Sequence, residues 1–302
     1  MDTAAGQGTV VIQKRRRRWG DRYDGRLLRS LDPLYLLIPY VMKTRGDSQN
    51  LFEDRIDVST VEEWLRTQRA AGRNVSFLHV FLAAYVRTIS QRPRMNRFVS
   101  GRRIYARNEI LVSFALKKRL REDSPETVVK LPFAPTATVW DVQKAVEAAI
   151  AANKVETAQN DTDLTAKLLM MLPGVVIRFA VWFLTLLDHR GLMPKVLNRV
   201  SPFHTSVFVT DLGSLGIKPI YHHLYEFGTT SVFLAFGSKE RERVVDEDGN
   251  ATVRKTIGLK VVTDERICDG YDYVYAFKYF TRLFRHPEEL EVPPAGVVED
   301  VD

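Results

Sequence analysis

The sequence predicts a single-domain mixed α/β protein, on three observations. A helical run of apolar residues over 76–89 gives way to short β-rich runs between 102 and 133. A second helical pattern follows over 138–150. Strand-like runs from 206 to 262 then close on an aromatic stripe at three- and four-residue steps. The chain has 302 residues, 45% of them hydrophobic, enough to fill a sizeable core.

Residues 1–30 are polar and basic with neither alternation nor a helical stripe, so they read as a basic N-terminal arm, with the domain proper spanning 31–290. Ser59 with Glu62 three positions on has the form of a capping box, and Val61, Trp64 and Leu65 share a face of the helix expected to end near Gly72. A second helix starts at Ser76. Its residues from Phe77 to Ile89 are apolar nearly all round, which predicts a helix buried within the domain, and His79 inside it reads as a core histidine. Ile104–Tyr105, Ile110–Leu116 and Thr127–Leu131 are strands, Thr138 with Asp141 caps another helix, and Asn160 to Asp163 form a polar break. Ser206–Thr210 and Ser231–Phe236 are strands. Arg241–Val245 and Thr252–Val262 flank a hairpin turn at Asp246 to Asn250. After Asp269-Gly270, the stripe Tyr273, Phe277, Phe280, Phe284 predicts a closing helix with its aromatics in the core. The acidic tail, 291–302, is expected to be draped on the domain or disordered.

Leu168 to Leu187 has the length of a membrane span, but Pro173-Gly174 interrupts it and Arg178 would lie near the bilayer centre at a cost of about 2.5 kcal/mol or more. Two short helices packed on the domain or a partner are expected, with a weak in-plane membrane-surface contact through 168–187 left open. The net charge is +7, and five of those charges sit in the run Lys14 to Arg18 before Trp19. Such a run can meet phosphate or an acidic membrane face, but a solvated arm is the plainer reading, and no nucleic-acid partner is expected. Without a secretory signal pattern and with one cysteine, Cys268, a reducing cytoplasmic setting is expected. The histidines lack metal-ligand spacing and there is no glycine-rich phosphate loop, so no metal site is expected.

Three stretches carry a family resemblance. Pro93 to Phe98, with Asn96 in the turn, leads from the buried helix to a strand. Val207 to Gly216 is a strand ending in Thr210-Asp211-Leu212-Gly213. Asp264-Glu265-Arg266-Ile267-Cys268-Asp269-Gly270 opens the closing helix. Together they resemble the catalytic core of 2-oxoacid dehydrogenase (dihydrolipoamide) acyltransferases and, more distantly, chloramphenicol acetyltransferase. The resemblance implies a chloramphenicol acetyltransferase-like mixed β-sheet flanked by helices, a homotrimer or higher trimer-based assembly with active sites at subunit boundaries, and a coenzyme A thioester as substrate. It also implies roles. Thr210 would stabilise the tetrahedral oxyanion, Asp269 would hold the turn in partnership with arginine, and Gly213, Gly270, Arg266 and Asn96 would be structural.

The departure is Glu265, which stands where the family has its catalytic histidine. A free thiol has a pKa of about 8.5, histidine about 6.5 and glutamate about 4.3, so the exchange weakens the base by about 3 kcal/mol of proton transfer. A carboxylate also sets negative charge beside a developing oxyanion. His204, His222 and His223 lie around the Thr210 strand and are the alternative bases, whereas Cys268 between Ile267 and Asp269 reads as a small buried filler rather than an acyl acceptor. The family's large-complex members carry lipoyl modules before the core. This sequence has no room for them, so no covalent lipoyl group is expected on this chain and a lipoyl-bearing protein would be a separate partner. Two functions remain: acyl transfer between coenzyme A and an unidentified acceptor through an altered site, or a catalytically inactive relative serving as a coenzyme A-binding or assembly subunit.

Overall fold

The computed structural model describes residues 16–117, 126–154, 171–245 and 249–302. Six strands form the main sheet in the order β2 (Gln49–Asp57), β9 (Ala251–Asp264), β8 (Val232–Val245), β7 (Val207–Asp211), β5 (Ile110–Lys117) and β6 (Glu126–Phe133). The sheet is mixed, because β7 runs parallel to both β5 and β8 while the other neighbours are antiparallel. A smaller antiparallel sheet has the order β1 (Gly25–Leu27), β4 (Arg103–Arg107), β3 (Arg97–Ser100).

The helices are α1 (Pro33–Val41), α2 (Ser59–Ala70), α3 (Phe77–Gln91), α4 (Val139–Lys154), α5 (Gly174–His189), α6 (Lys195–Val200) and α7 (Gly270–Arg282). The all-round apolarity of α3 has the expected outcome: every residue from His79 to Ser90 is buried. Phe81 of α3 stacks on Phe236 of β8 at 4.0 Å and meets Phe284 beyond α7 at 4.7 Å, so the central helix joins sheet to closing helix. The His79 ring accepts from the Ser76 amide at 3.1 Å, and burial lowers its pKa, as befits a neutral core histidine. Thr138 and Asp141 exchange hydrogen bonds at the start of α4, and Tyr273, Phe280 and Phe284 of the aromatic stripe are buried.

Two local expectations change, one is described only in part, and one is resolved between its two alternatives. The helix predicted from Ser59 and Glu62 exists, but its N-cap is Val58, which makes no side-chain cap bond; Asp57 just before it accepts from the Ser59 amide at 2.9 Å, while Glu62 accepts from Lys239 and Lys255 of the hairpin. A carboxylate with two ammonium partners nearby gains more from them than from a backbone amide. Of 168–187, residues 171–187 are described and hold the helix α5, begun by the Pro173-Gly174 break; Leu168 to Met170, where the first of the two expected helices would run, lie outside the described residues. Part of the expected arm is structured: Gly25–Leu27 pairs with Tyr105–Arg107, and the buried Arg22 just before it bonds Asp24 and Asp188. The acidic tail is draped: the Val298 amide donates to the Ser90 carbonyl at 2.9 Å, and Asp300 forms a buried pair with Arg97 at 2.6 Å. Lys14, Arg15, Asn160 to Asp163 and Asp246 to Asp248 lie outside the described residues.

The sheet has one core face and one loop-covered face. Val207 and Val209 of β7 point into the main core, whereas Phe208 joins Phe233, Val262, Leu224 and Tyr221 in a second cluster on the opposite face. That alternation fixes where the candidate residues project.

Candidate active site

Thr210 shares the loop-covered face with Phe208, two residues before it, and is half-buried at the end of β7. The strand leaves the sheet through Asp211, whose Oδ1 accepts from the Ser214 amide at 3.0 Å, and burial pushes this carboxyl up against the pull of that bond. Gly213 is required here: a Cβ on it would lie 2.5 Å from the Gly237 carbonyl oxygen, so only glycine lets the β7 exit pass so close to β8.

Glu265 sits in a different place. It opens a single helical turn, Glu265–Ile267, directly after β9, is half-buried, and donates its amide to the Ser48 carbonyl at 2.8 Å. The turn is pinned by Asp264, which is fully buried and takes two bonds from Arg266 at 2.8 and 2.7 Å and one from Ser48 Oγ at 3.1 Å. Arg45 lies 3.9 Å from the same carboxylate. Arg266 therefore binds Asp264 within the turn, whereas the resemblance implied an arginine on Asp269. Asp269 caps α7 instead, accepting from the Asp272 amide at 2.8 Å, and burial and contact with Asp269 push up the Tyr35 phenol pKa. Arg97, the arginine nearest in chain to Asn96, is held by Asp300 and the Ile267 carbonyl. Gly270 is the exposed first residue of α7, and Asn96 ends the one-turn helix Pro93–Asn96, its amide donating to the Glu109 carbonyl at 3.1 Å. Neither Arg45 nor Ser48 has a local motif; each becomes visible only when β2 is laid beside β9.

Register shows how far apart the two halves are. Thr210 pairs with Ala235 and Ala235 with Lys260, so Glu265 lies five residues further along and two strands over. That is about 17 Å along the strand and about 10 Å across it, a separation of about 20 Å. One chain does not bring Thr210 and Glu265 together.

The three alternative histidines separate cleanly. His204 is fully buried, with Nδ1 2.8 Å from Ser201 Oγ and Nε2 3.5 Å from Asp188 Oδ1, and burial lowers its pKa. It belongs to a packed polar network. His223 is exposed and lies beside Tyr225. His222 stacks on Phe233 at 4.2 Å and 15°, on the loop-covered face, and Phe233 is a diagonal neighbour of Thr210 through its partner Phe208. Of the three, His222 is the one that the fold places on Thr210's side. Cys268 is fully buried against Met95, and burial raises its thiol pKa. An open groove of about 450 Å³ runs between β2 and α7, lined by Phe52, Thr263, Gly270, Tyr273 and Phe277 among others but not by Glu265.

No protein-family model and no curated protein matches this sequence. Solved structures do match. A probable dihydrolipoamide acetyltransferase from Listeria monocytogenes aligns with 12% identity and a TM-score of 0.56, covering 85% of this chain and 94% of the other. The dihydrolipoamide acetyltransferase of Azotobacter vinelandii, in whose catalytic mechanism a serine, a histidine and an asparagine were investigated, aligns with 13% identity and a TM-score of 0.54, over 85% of this chain and 88% of that one. A chloramphenicol acetyltransferase aligns with 11% identity and a TM-score of 0.56, over 86% of this chain and 99% of its own. The chain thus has the mixed-sheet fold of chloramphenicol acetyltransferase and of the catalytic cores of 2-oxoacid dehydrogenase acyltransferases.

Proposed function

We propose that this chain is an acyltransferase acting on a coenzyme A thioester, with a site completed where two copies of a trimer meet. The observation that carries this reading is the separation of Thr210 and Glu265 at opposite ends of the sheet within a single acyltransferase-like fold. In such an assembly Glu265 of one copy faces Thr210 and His222 of the next. His222 takes the proton from the attacking thiol, and the thiolate forms a bond to the carbonyl carbon. The tetrahedral oxyanion is held by the Thr210 hydroxyl, and its collapse expels coenzyme A, which recovers the proton. Glu265 then acts on the imidazole rather than on the thiol. A carboxylate within hydrogen-bond reach favours the imidazolium, which offsets the weakness of glutamate as a direct base. The groove between β2 and α7 suits an extended acyl or pantetheine arm. The acceptor is a thiol such as dihydrolipoamide, supplied by a separate lipoyl-bearing protein.

A second reading keeps the assembly and the coenzyme A site without turnover. It is favoured by the carboxylate of Glu265 at the place of the family's histidine.

One experiment separates the two. Purified protein is incubated with short-chain acyl-CoA and dihydrolipoamide, free coenzyme A is followed, and the mass is read in solution. The first reading expects a particle of about 104 kDa, three copies of 34.6 kDa. It expects release that falls about 100-fold or more in Thr210→Ala and in His222→Ala. Background release from a protein that still binds coenzyme A, together with a gain in Glu265→His, supports the second. A monomer with full activity refutes the split site.

A further inference from the structure

Two sequence features have no part in acyl transfer, the basic run that ends at Arg18 before Trp19 and the apolar segment that contains α5, and the fold brings Arg17 and Trp19 to the foot of α5. Val175, Phe179, Trp182 and Leu186 recur at four- and three-residue steps along α5 and form one outward stripe. Phe179 is 63% exposed and Trp182 59%, and Phe179 packs with Trp182 at 5.7 Å and with Phe183 at 6.2 Å. The stripe leads into an open cleft of about 540 Å³, where Leu186, His189 and Arg190 meet Arg17, Trp19 and Arg103. Trp19 is 91% exposed at its edge. Arg17 donates to the Asp21 carbonyl, and among the described residues Arg103 and Arg190 form no ion pair. Asp21 also lines the cleft but pairs with Arg29, so the three arginines leave it cationic, and the surface leading to it is aromatic.

We propose that this face docks on an anionic lipid membrane, with α5 lying in the headgroup region and the cleft receiving a lipid phosphate. The α5 helix has 16 residues, about 24 Å of length, short of the hydrocarbon thickness of about 30 Å. Among the described residues no helix is long and apolar enough to cross a membrane. An in-plane helix with Trp and Phe on its outer side and cations at its foot is the arrangement that binds such an interface. Charge also speaks against a second copy as the occupant. Of the three acids that end a partner chain's tail, Asp300 is engaged by Arg97 and Asp302 by Arg18 and Arg26 within their own subunit, which leaves only Glu299 to set against the arginines of the cleft. A lipid phosphate needs no such acid.

The test uses the full chain and two kinds of vesicle, phosphatidylcholine alone and phosphatidylcholine mixed with phosphatidylglycerol. The mixed vesicles are expected to pellet the protein and shift its tryptophan emission to the blue, and added salt to reverse both. Arg103→Gln and Arg190→Gln each weaken binding about five-fold, and Phe179→Ser with Trp182→Ser abolishes it at unchanged melting temperature. Three results overturn the proposal: protein that stays in the supernatant, equal binding to both vesicles, or aromatic variants that change the oligomer mass while vesicle binding persists. Lipid binding is read without acyl transfer, so either proposal can fail alone.

Discussion

Replacing Asp188 by asparagine tests the anchor that holds α5 to the body of the protein. Asp188 lies in the last turn of α5, where a negative charge opposes the helix dipole, and Arg22 Nη2 meets its Oδ1 at 2.6 Å, with both side chains at most 4% exposed. Burial disfavours the charged carboxylate, but the His204 contact and the Arg22 charge outweigh it and hold the Asp188 pKa well below the usual carboxylate range. Burial lowers the His204 pKa, so near neutrality the countercharge that matters is Arg22. Removing one partner of a buried pair costs about 3–5 kcal/mol. Asparagine keeps the shape, and Asp24 remains bonded to Arg22 at 2.8 Å, so the lower end applies, about 3 kcal/mol. At about 2–4 °C per kcal/mol, the melting temperature falls by about 6–12 °C. A carboxyl with a depressed folded pKa stabilises above its unfolded value of about 3.9 and loses that contribution as pH falls toward the folded value. The gap between wild type and Asp188→Asn, followed by thermal unfolding across pH, therefore stays constant near neutrality and narrows below about pH 4. A gap under about 1 kcal/mol at pH 7, or one that widens in acid, refutes the reasoning.

Two further outcomes follow from burial. Phe81→Ala leaves a void between α3, β8 and the segment after α7, where the ring is 1% exposed, and urea unfolding should show a loss of about 3–5 kcal/mol; a loss below 1 kcal/mol would mean that the core closes over the gap. Cys268, fully buried and with its thiol pKa raised by burial, should resist a thiol reagent in the native protein and react promptly in denaturant, so rapid native labelling would contradict its place beside Met95.

The segments legible in the sequence are those whose burial is one-sided or complete. The α3 helix, apolar on every side, and the aromatic stripe of α7 could be read because the core imposes their periodicity. The edge strand β2 gave no such signal, since Leu51, Glu53 and Arg55 share one face and both its faces are largely exposed. The α1 helix was missed although Asp32-Pro33 is a proper start, Asp32 accepting from the Leu34 amide at 2.8 Å; its apolar residues face outward and do not form a stripe against the core. At the candidate site the motif at 264–270 marked the turn, yet which arginine holds which carboxylate was set by the register of β2 against β9, which no local pattern encodes. The three histidines were equivalent on paper. They became distinct once strand alternation put Phe208 and Phe233 on one face, with His222 lying over them.

The clasp between Arg22 and Asp188 also sets an order of events. Its two ends are 166 positions apart, so at about 5–20 residues per second the ribosome delivers Asp188 about 8–33 s after Arg22. Through that interval the guanidinium has Asp24 as its near partner, and the face that later meets Asp188 stays hydrated. The small sheet and α5 therefore seal together late in synthesis. A newborn chain therefore presents the small sheet for some seconds before the aromatic helix that will cover it has been made.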